Sequence, residues 1–362
     1  MKFIIVTQTF PPRKGGMQSA MEGLAIGLSK YSNVIVFSDH GVTRPIVGNF
    51  FSIVIKETSF PKFIRPFIKR IKLFFLRINA ADIFICDSWK SVNAIPKRLK
   101  NKIVVLAHGQ EYLNQETRTQ RIKKALSRAS VLIANSRYTK DLVSLYSNKC
   151  LIEIIPPTYS LLEVCMGSQK NKKKDKKVNL LSIARIEERK GLIKILEALA
   201  ELKHNFKKSI FHWYVVGDGP QLVELKKLSS SLGMNSFVTF CGRVAEDKKI
   251  SLFKKADLFI MTPYKVKKSI EGFGIVFIEA AMYGIPSITG LDGGVQDAVI
   301  NNISGWCVDP LDKNALVTVL EEAIINEDER KKRGYAANKL FKNRFRGSIV
   351  IKQFVDTIHS NL

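Results

Sequence analysis

Two glutamates, Glu271 and Glu279, stand with seven residues between them, beginning Gly272-Phe273-Gly274-Ile275. The two glycines suit a tight loop whose amides, at the start of the following helix, can face a phosphate. Glu279 then falls about one turn into that helix, near enough to the ligand end to accept both hydroxyls of a ribose, while Glu271, ahead of the turn, can reach a sugar. Gly284 and Pro286 end the helix. Arg185 and Lys190 stand either side of a short loop and can grip a pyrophosphate from two sides, one as a planar fork and one as a point charge. Gly15 and Gly16, in Pro11-Pro12-Arg13-Lys14-Gly15-Gly16, allow close backbone approach to a ligand at the start of a helix over 17–29. The imidazole of His108, in Ala107-His108-Gly109, can donate to a sugar hydroxyl or shield developing charge. A Gly-Gly turn or a lone histidine serves a purely structural role as readily.

These residues matter because each follows a predicted strand. Short β-branched runs at 3–7, 34–37, 83–86, 103–107, 131–134 and 152–155 alternate with segments of helical period, the order of a parallel sheet with crossover helices. The pattern restarts with strands at 179–184, 212–216, 237–240, 258–261 and 287–289. Between the two series lies a lysine run, 170–177, which cannot pack in a core and reads as a solvated linker. The expected organisation is therefore a Rossmann-like domain over 1–166, a linker over 167–177 and a second Rossmann-like domain over 178–343. Residues 344–362 are expected to form a final helix able to pack back on either domain, the first included. In open parallel sheets ligands bind beyond the carboxyl ends of the strands, where the residues above are found. The turn Gly217-Asp218-Gly219-Pro220 belongs to the same series, with Pro220 suited to a first helical position.

The chain has 362 residues, 46% of them apolar, and a formal net charge of +26. That charge favours anionic partners, but no recognition-helix, RNP or zinc-finger pattern accompanies it, so no nucleic acid is expected. Five cysteines, an odd number with no Cys-x-x-Cys pair, indicate neither a zinc ribbon nor a disulfide framework and suit a reducing cytoplasm. The apolar start is too short for a signal-peptide core, and no apolar run reaches 18 residues, so a chain that sits on a membrane without spanning it is expected. Residues 62–77 hold six basic residues and no acid, with apolar positions 64, 67, 68, 71, 74 and 75 at helical spacing. This basic amphipathic helix suits either packing on the first domain's sheet or docking on an anionic membrane.

Taken together, the Gly-Gly loop, the Arg185/Lys190 pair, Gly217-Asp218-Gly219-Pro220 and the two spaced glutamates resemble the family 4 glycosyltransferases, glycosyl transferases group 1, over nearly the whole chain. The resemblance implies a GT-B fold, two Rossmann-like doubly wound α/β domains facing a central cleft. It also implies a retaining, metal-independent hexosyl transfer from a nucleoside-diphosphate sugar (UDP- or GDP-linked) to a glycan or lipid-linked acceptor in cell-surface polysaccharide or lipopolysaccharide synthesis. His108, Glu271, Arg185 and Lys190 would be the catalytic set. Arg185 and Lys190 would hold the donor diphosphate and Glu279 the ribose. Glu271 with the Gly272-Phe273-Gly274-Ile275 backbone would hold the sugar, Gly15 and Gly16 would approach the donor, and Gly242-Arg243-Val244 would border the base. No cofactor and no metal is implied; the partners are the donor, the acceptor and an anionic membrane surface, at the cytoplasmic face of the plasma membrane. Two positions depart from the family pattern: its Gly before the diphosphate-binding Arg is Ala184, and its Pro-Asn-Gly turn is Pro156-Pro157-Thr158. Other readings of the same residues are a nucleotide-sugar epimerase or glycosyl phosphorylase on this fold, and a non-catalytic nucleotide-sugar-binding protein.

Overall fold

A computed structural model describes residues 1–13, 15–40, 51–58, 60–61, 63–113, 115–147, 149–158, 177–205 and 210–361. The chain divides into two compact units, Met1–Cys165 with Arg344–Leu362, and Met166–Asn343. The lysine-rich linker foreseen at 167–177 lies outside the described residues except for Lys177, as does Lys62 of the basic segment.

The first unit is built on seven strands: β1 (Phe3–Val6), β2 (Val34–Ser38), β3 (Ile53–Glu57), β4 (Ile83–Cys86), β5 (Ile103–Ala107), β6 (Val131–Ala134) and β7 (Leu151–Ile154). They form one parallel sheet in the order β3-β2-β1-β4-β5-β6-β7. Side chains alternate across a strand, so both faces of a buried strand must be apolar. In β1, Phe3 and Ile5 enter one core with Leu24, Leu28, Phe354 and Ile358, while Ile4 and Val6 enter the other with Trp89, Leu126 and Val143. The helices are α1 (Gly16–Leu28), α2 (Arg65–Phe74), α3 (Trp89–Val92), α4 (Thr119–Leu126) and α5 (Arg137–Ser144).

The second unit has β8 (Val178–Ile183), β9 (Phe211–Val216), β10 (Val238–Gly242), β11 (Leu258–Ile260), β12 (Ser287–Thr289) and β13 (Gly305–Cys307), parallel in the order β10-β9-β8-β11-β12-β13. Its helices are α6 (Leu192–Asn205), α7 (Leu222–Ser231), α8 (Glu246–Lys255), α9 (Ile275–Met282), α10 (Lys313–Ile325) and α11 (Glu327–Leu340). The chain then returns to the first unit as α12 (Gly347–Asn361), whose Val350, Ile351, Phe354, Val355 and Ile358 are buried in that unit's core. Where α12 crosses α1 the helices touch at Gly27: a Cβ there would stand 2.3 Å from the Ile351 side chain.

Eleven foreseen strands are present with ends shifted by a residue or two; β3 and β13 were not foreseen. Both are edge strands. β3 is only half-buried, and β13 is three residues long, so neither shows the continuous apolar run by which a buried strand is read.

Candidate active site

In each sheet the order reverses beside the first strand, between β1 and β4 in one unit and between β8 and β11 in the other. Loops leaving the two strands at such a point diverge and open a crevice at their carboxyl ends, the usual ligand site of an open α/β sheet.

At the β8/β11 point, the segment after β8 is shaped by the Gly217–Pro220 turn beneath it. Ile186 N donates to Asp218 O at 3.0 Å, and Gln221 N donates to Ile186 O at 3.1 Å. A Cβ on Gly217 would lie 1.8 Å from the Ala184 carbonyl oxygen, so only glycine permits this approach. Beyond it, Glu188–Lys190 makes one tight turn, and Gly191, at φ 72°, lets the chain enter α6 against the Thr262 carbonyl. The turn delivers Arg189 and Lys190 onto Glu271: Arg189 Nη1 donates to Glu271 Oε2 at 2.7 Å, and Lys190 Nζ donates to the same oxygen. Burial raises the Glu271 pKa, but the Lys190 and Arg189 charges outweigh it and hold the carboxyl at about 2. Arg189 also meets Glu187 at 2.8 Å, and Glu187 meets Arg185 at 3.5 Å.

Arg185 therefore sits at the outer end of this ion-pair chain, 72% exposed, whereas Arg189 takes the inner position beside Lys190. Arg189 carries no distinguishing sequence signal except its place next to Lys190; a tight turn, invisible in periodicity, decides which of the two arginines faces Glu271. Gly274 caps α9 in the left-handed region with no side-chain cap on the helix, and Phe273 is buried beside it. The first-turn amides of α9 begin there. Glu279, buried in α9, accepts from Lys249 Nζ of α8 at 2.6 Å. Gly242 ends β10, its carbonyl bonded to Gly217 N at 2.8 Å. The exposed Arg243 pairs with Asp218 at 3.3 Å, and Val244 follows half-buried. The Gly293-Gly294 loop after β12, unmarked by the sequence reading, supports the site from behind: Gly294 N donates to the Glu271 carbonyl at 3.0 Å.

In the first unit, Gly15 and Gly16 open α1, and His108 follows β5. The His108 amide donates to Glu111 Oε1 at 2.7 Å and its carbonyl accepts from Asn135 at 3.3 Å, while its Nε2 is buried without a partner. Asp87, directly after β4 and 1% exposed, organises the β1/β4 point. Its Oδ2 accepts from Thr7 Oγ1 (2.8 Å), Gln8 N (2.7 Å), Thr9 N (3.0 Å) and Thr9 Oγ1 (2.9 Å), and its Oδ1 accepts from Ser91 Oγ at 2.5 Å. Sequence reasoning passed it over, since a single Asp after a strand has no spacing to mark it.

Two doubly wound units, each with a crevice at its sheet's switch point, define the fold, and likeness to known proteins narrows what such a fold does here. Residues 167–340 match the family model of the glycosyl transferases group 1. A GDP-mannose-dependent alpha-(1-6)-phosphatidylinositol monomannoside mannosyltransferase of Mycolicibacterium smegmatis is 24% identical over 346 residues, 89% of this chain and 88% of the relative. An alpha-1,3/1,6-mannosyltransferase of Homo sapiens is 26% identical over 317 residues, 78% of this chain and 74% of the relative. The crystal structure of Anabaena HepE with UDP and glucose superposes with a TM-score of 0.74 at 16% identity, covering 99% of this chain and 100% of that one. By these matches the chain is a glycosyltransferase of the GT-B fold, with its group 1 match confined to residues 167–340.

Proposed function

We propose that the chain transfers a hexose from a nucleoside-diphosphate sugar to a glycan or glycolipid acceptor, with retention of configuration and without a divalent metal, at the cytoplasmic face of the plasma membrane. The observation that carries this reading is the Arg189–Glu271–Lys190 cluster at the β8/β11 point, set before the uncapped start of α9. Lys190 and Arg189, with Arg185 turning in from the rim, would take up the donor diphosphate and oppose the charge that develops as it leaves. Glu271, ionised far below neutrality, accepts hydrogen bonds from sugar hydroxyls, and Glu279 accepts them from the ribose. Gly242, Arg243 and Val244 border the base. His108, Gly15 and Gly16 carry the first unit's part in holding the sugar and donor. The mannosyltransferases among the relatives favour GDP-mannose as donor and a phosphatidylinositol-type glycolipid as acceptor class.

Helix α2 supports action at a membrane surface. Phe63, Phe67 and Phe75 are 82%, 63% and 80% exposed, and Ile71 and Phe74 continue the stripe. Each aromatic entering the interface contributes about 1.5–3 kcal/mol, and each Lys or Arg near an anionic leaflet about 1 kcal/mol. Among the described residues no helix is long and apolar enough to cross a membrane.

The test is thermal unfolding with UDP, GDP and ADP, with and without Mg²⁺, followed by transfer assays with the matching sugar nucleotides and NMR of the product anomer. A shift selective for one nucleoside diphosphate, unchanged by chelation, is expected. Removing one preorganised donor typically costs about 10²–10³ in rate, the loss expected for Lys190→Ala. Near-normal turnover of that variant, or an inverted anomer, refutes the reading.

A further inference from the structure

The first unit holds a second anion-ready crevice, at its own topological switch. A cavity of about 260 Å³ opens at the carboxyl ends of β1, β2 and β4, lined by Arg13 from the loop after β1, Asp39 after β2, Arg65 and Lys69 of α2, and Lys90 of α3. That volume is far above the roughly 10–15 Å³ that admits one water, so a phosphate and part of the alcohol it esterifies fit. Four cationic side chains from three segments face one carboxylate. Asp39 is already shared, meeting Lys69 at 2.5 Å and Arg65 at 3.2 Å. Among the described residues Arg13 and Lys90 have no carboxylate partner.

Lys69 is the telling residue. An ammonium that is 3% exposed has been withdrawn from water at considerable cost, and core packing alone would be served better by an apolar residue. Its Nζ donates to the Thr7 carbonyl and to Asp39, each at 2.5 Å, which leaves one of its three donors uncommitted. The backbone it touches is the β1 end that Asp87 holds in place. Beside the cavity, burial and then the Arg13 and Arg65 charges depress the His40 pKa, a sign of the same positive field. Helix α2 is thus two-faced: Arg65 and Lys69 turn into the cavity while Phe67, Ile71 and Phe74 face outward.

We propose that this cavity is an acceptor subsite that holds a phosphate, as monoester or diester, through Arg13, Arg65, Lys69 and Lys90. The assignment rests on the glycosyl-transfer reading and deepens it, since a phosphate gripped here orients the alcohol attached to it.

The test uses the full chain and the double variant Arg13→Gln/Lys90→Gln, whose side chains are exposed and make no ion pair among the described residues, so that their loss should spare the fold. With the donor site saturated by the preferred nucleoside diphosphate, titration calorimetry measures inorganic phosphate, sn-glycerol 3-phosphate and dihexanoyl phosphatidylglycerol below its micelle concentration. Binding to the wild type, weakened at least tenfold in the variant while the nucleotide shift is unchanged, is expected. Tighter binding of the soluble monoester assigns the phosphate to a free acceptor, and tighter binding of the diester assigns it to a lipid headgroup. Equal affinities in wild type and variant, or no binding of any of the three, overturn the proposal. Absence of a nucleotide shift in the wild type counts against the donor site instead, and the three titrations are then read without nucleotide.

Discussion

Glu271 lies between Lys190 and Arg189 in the β8/β11 crevice, and its protonation should be visible in stability. Its native pKa, about 2, stands below the ordinary 4.5. The unfolded chain therefore binds more protons in this window, so the contribution of Glu271 to folding is complete above about pH 4.5 and is lost as pH falls toward 2. Denaturant unfolding at steps from pH 7 to 2.5 should show the wild type losing stability over that window more steeply than Glu271→Gln, which has no proton to gain. Parallel curves would show that the pair contributes nothing in this way. At neutral pH the same variant leaves the partly buried Lys190 without its carboxylate, and Arg189 with Glu187 alone, and should be the less stable of the two. Arg185, by contrast, is an outlying, exposed partner of Glu187, so its loss should touch activity without touching stability.

At the level of elements, α2 is short and has polar and apolar faces opposite to those of a core helix. Only Lys69 and Leu73 are fully buried, and the aromatic residues are left outside. An amphipathic helix of a soluble α/β unit buries its apolar stripe; this one faces solvent with most of it. Replacing Phe67 and Phe75 together by Ser should lower partitioning onto vesicles containing phosphatidylglycerol at least tenfold with no fall in melting temperature, since neither ring packs in the core. Residual binding of the wild type should also weaken with salt. Unchanged flotation of the double variant would return α2 to an ordinary surface role.

For the whole molecule, α12 ties the last residues of the chain to the first unit, across the entire second unit in sequence. Phe354 is 3% exposed in the core formed with α1 and β1. Truncating a buried aromatic costs about 3–5 kcal/mol, so Phe354→Ala should lower the stability of the first unit alone. Calorimetry with the preferred nucleoside diphosphate should then separate an early transition that the ligand does not move from a later one that it does. A single transition shifted as a whole would mean that the units unfold together.

The sequence by itself determined that there are two parallel α/β units, because fully buried strands must be apolar on both faces and such runs stand out between helical segments. It also marked Lys190, Glu271, Glu279 and the glycine turns, because a tight turn or a close backbone approach leaves few choices of residue, as at Gly217 against Ala184. Only the tertiary structure decided which charges meet. Arg189 rather than Arg185 reaches Glu271, Lys249 reaches Glu279 across thirty residues, and Asp87 collects the end of β1 from eighty residues away. Nor could periodicity tell that Lys69, on a helix with an apolar stripe, turns inward while the aromatics turn out. Pairings between loops depend on strand order and on the angle at which each turn leaves its strand, and neither is written in the local pattern of residues from which a sequence is read.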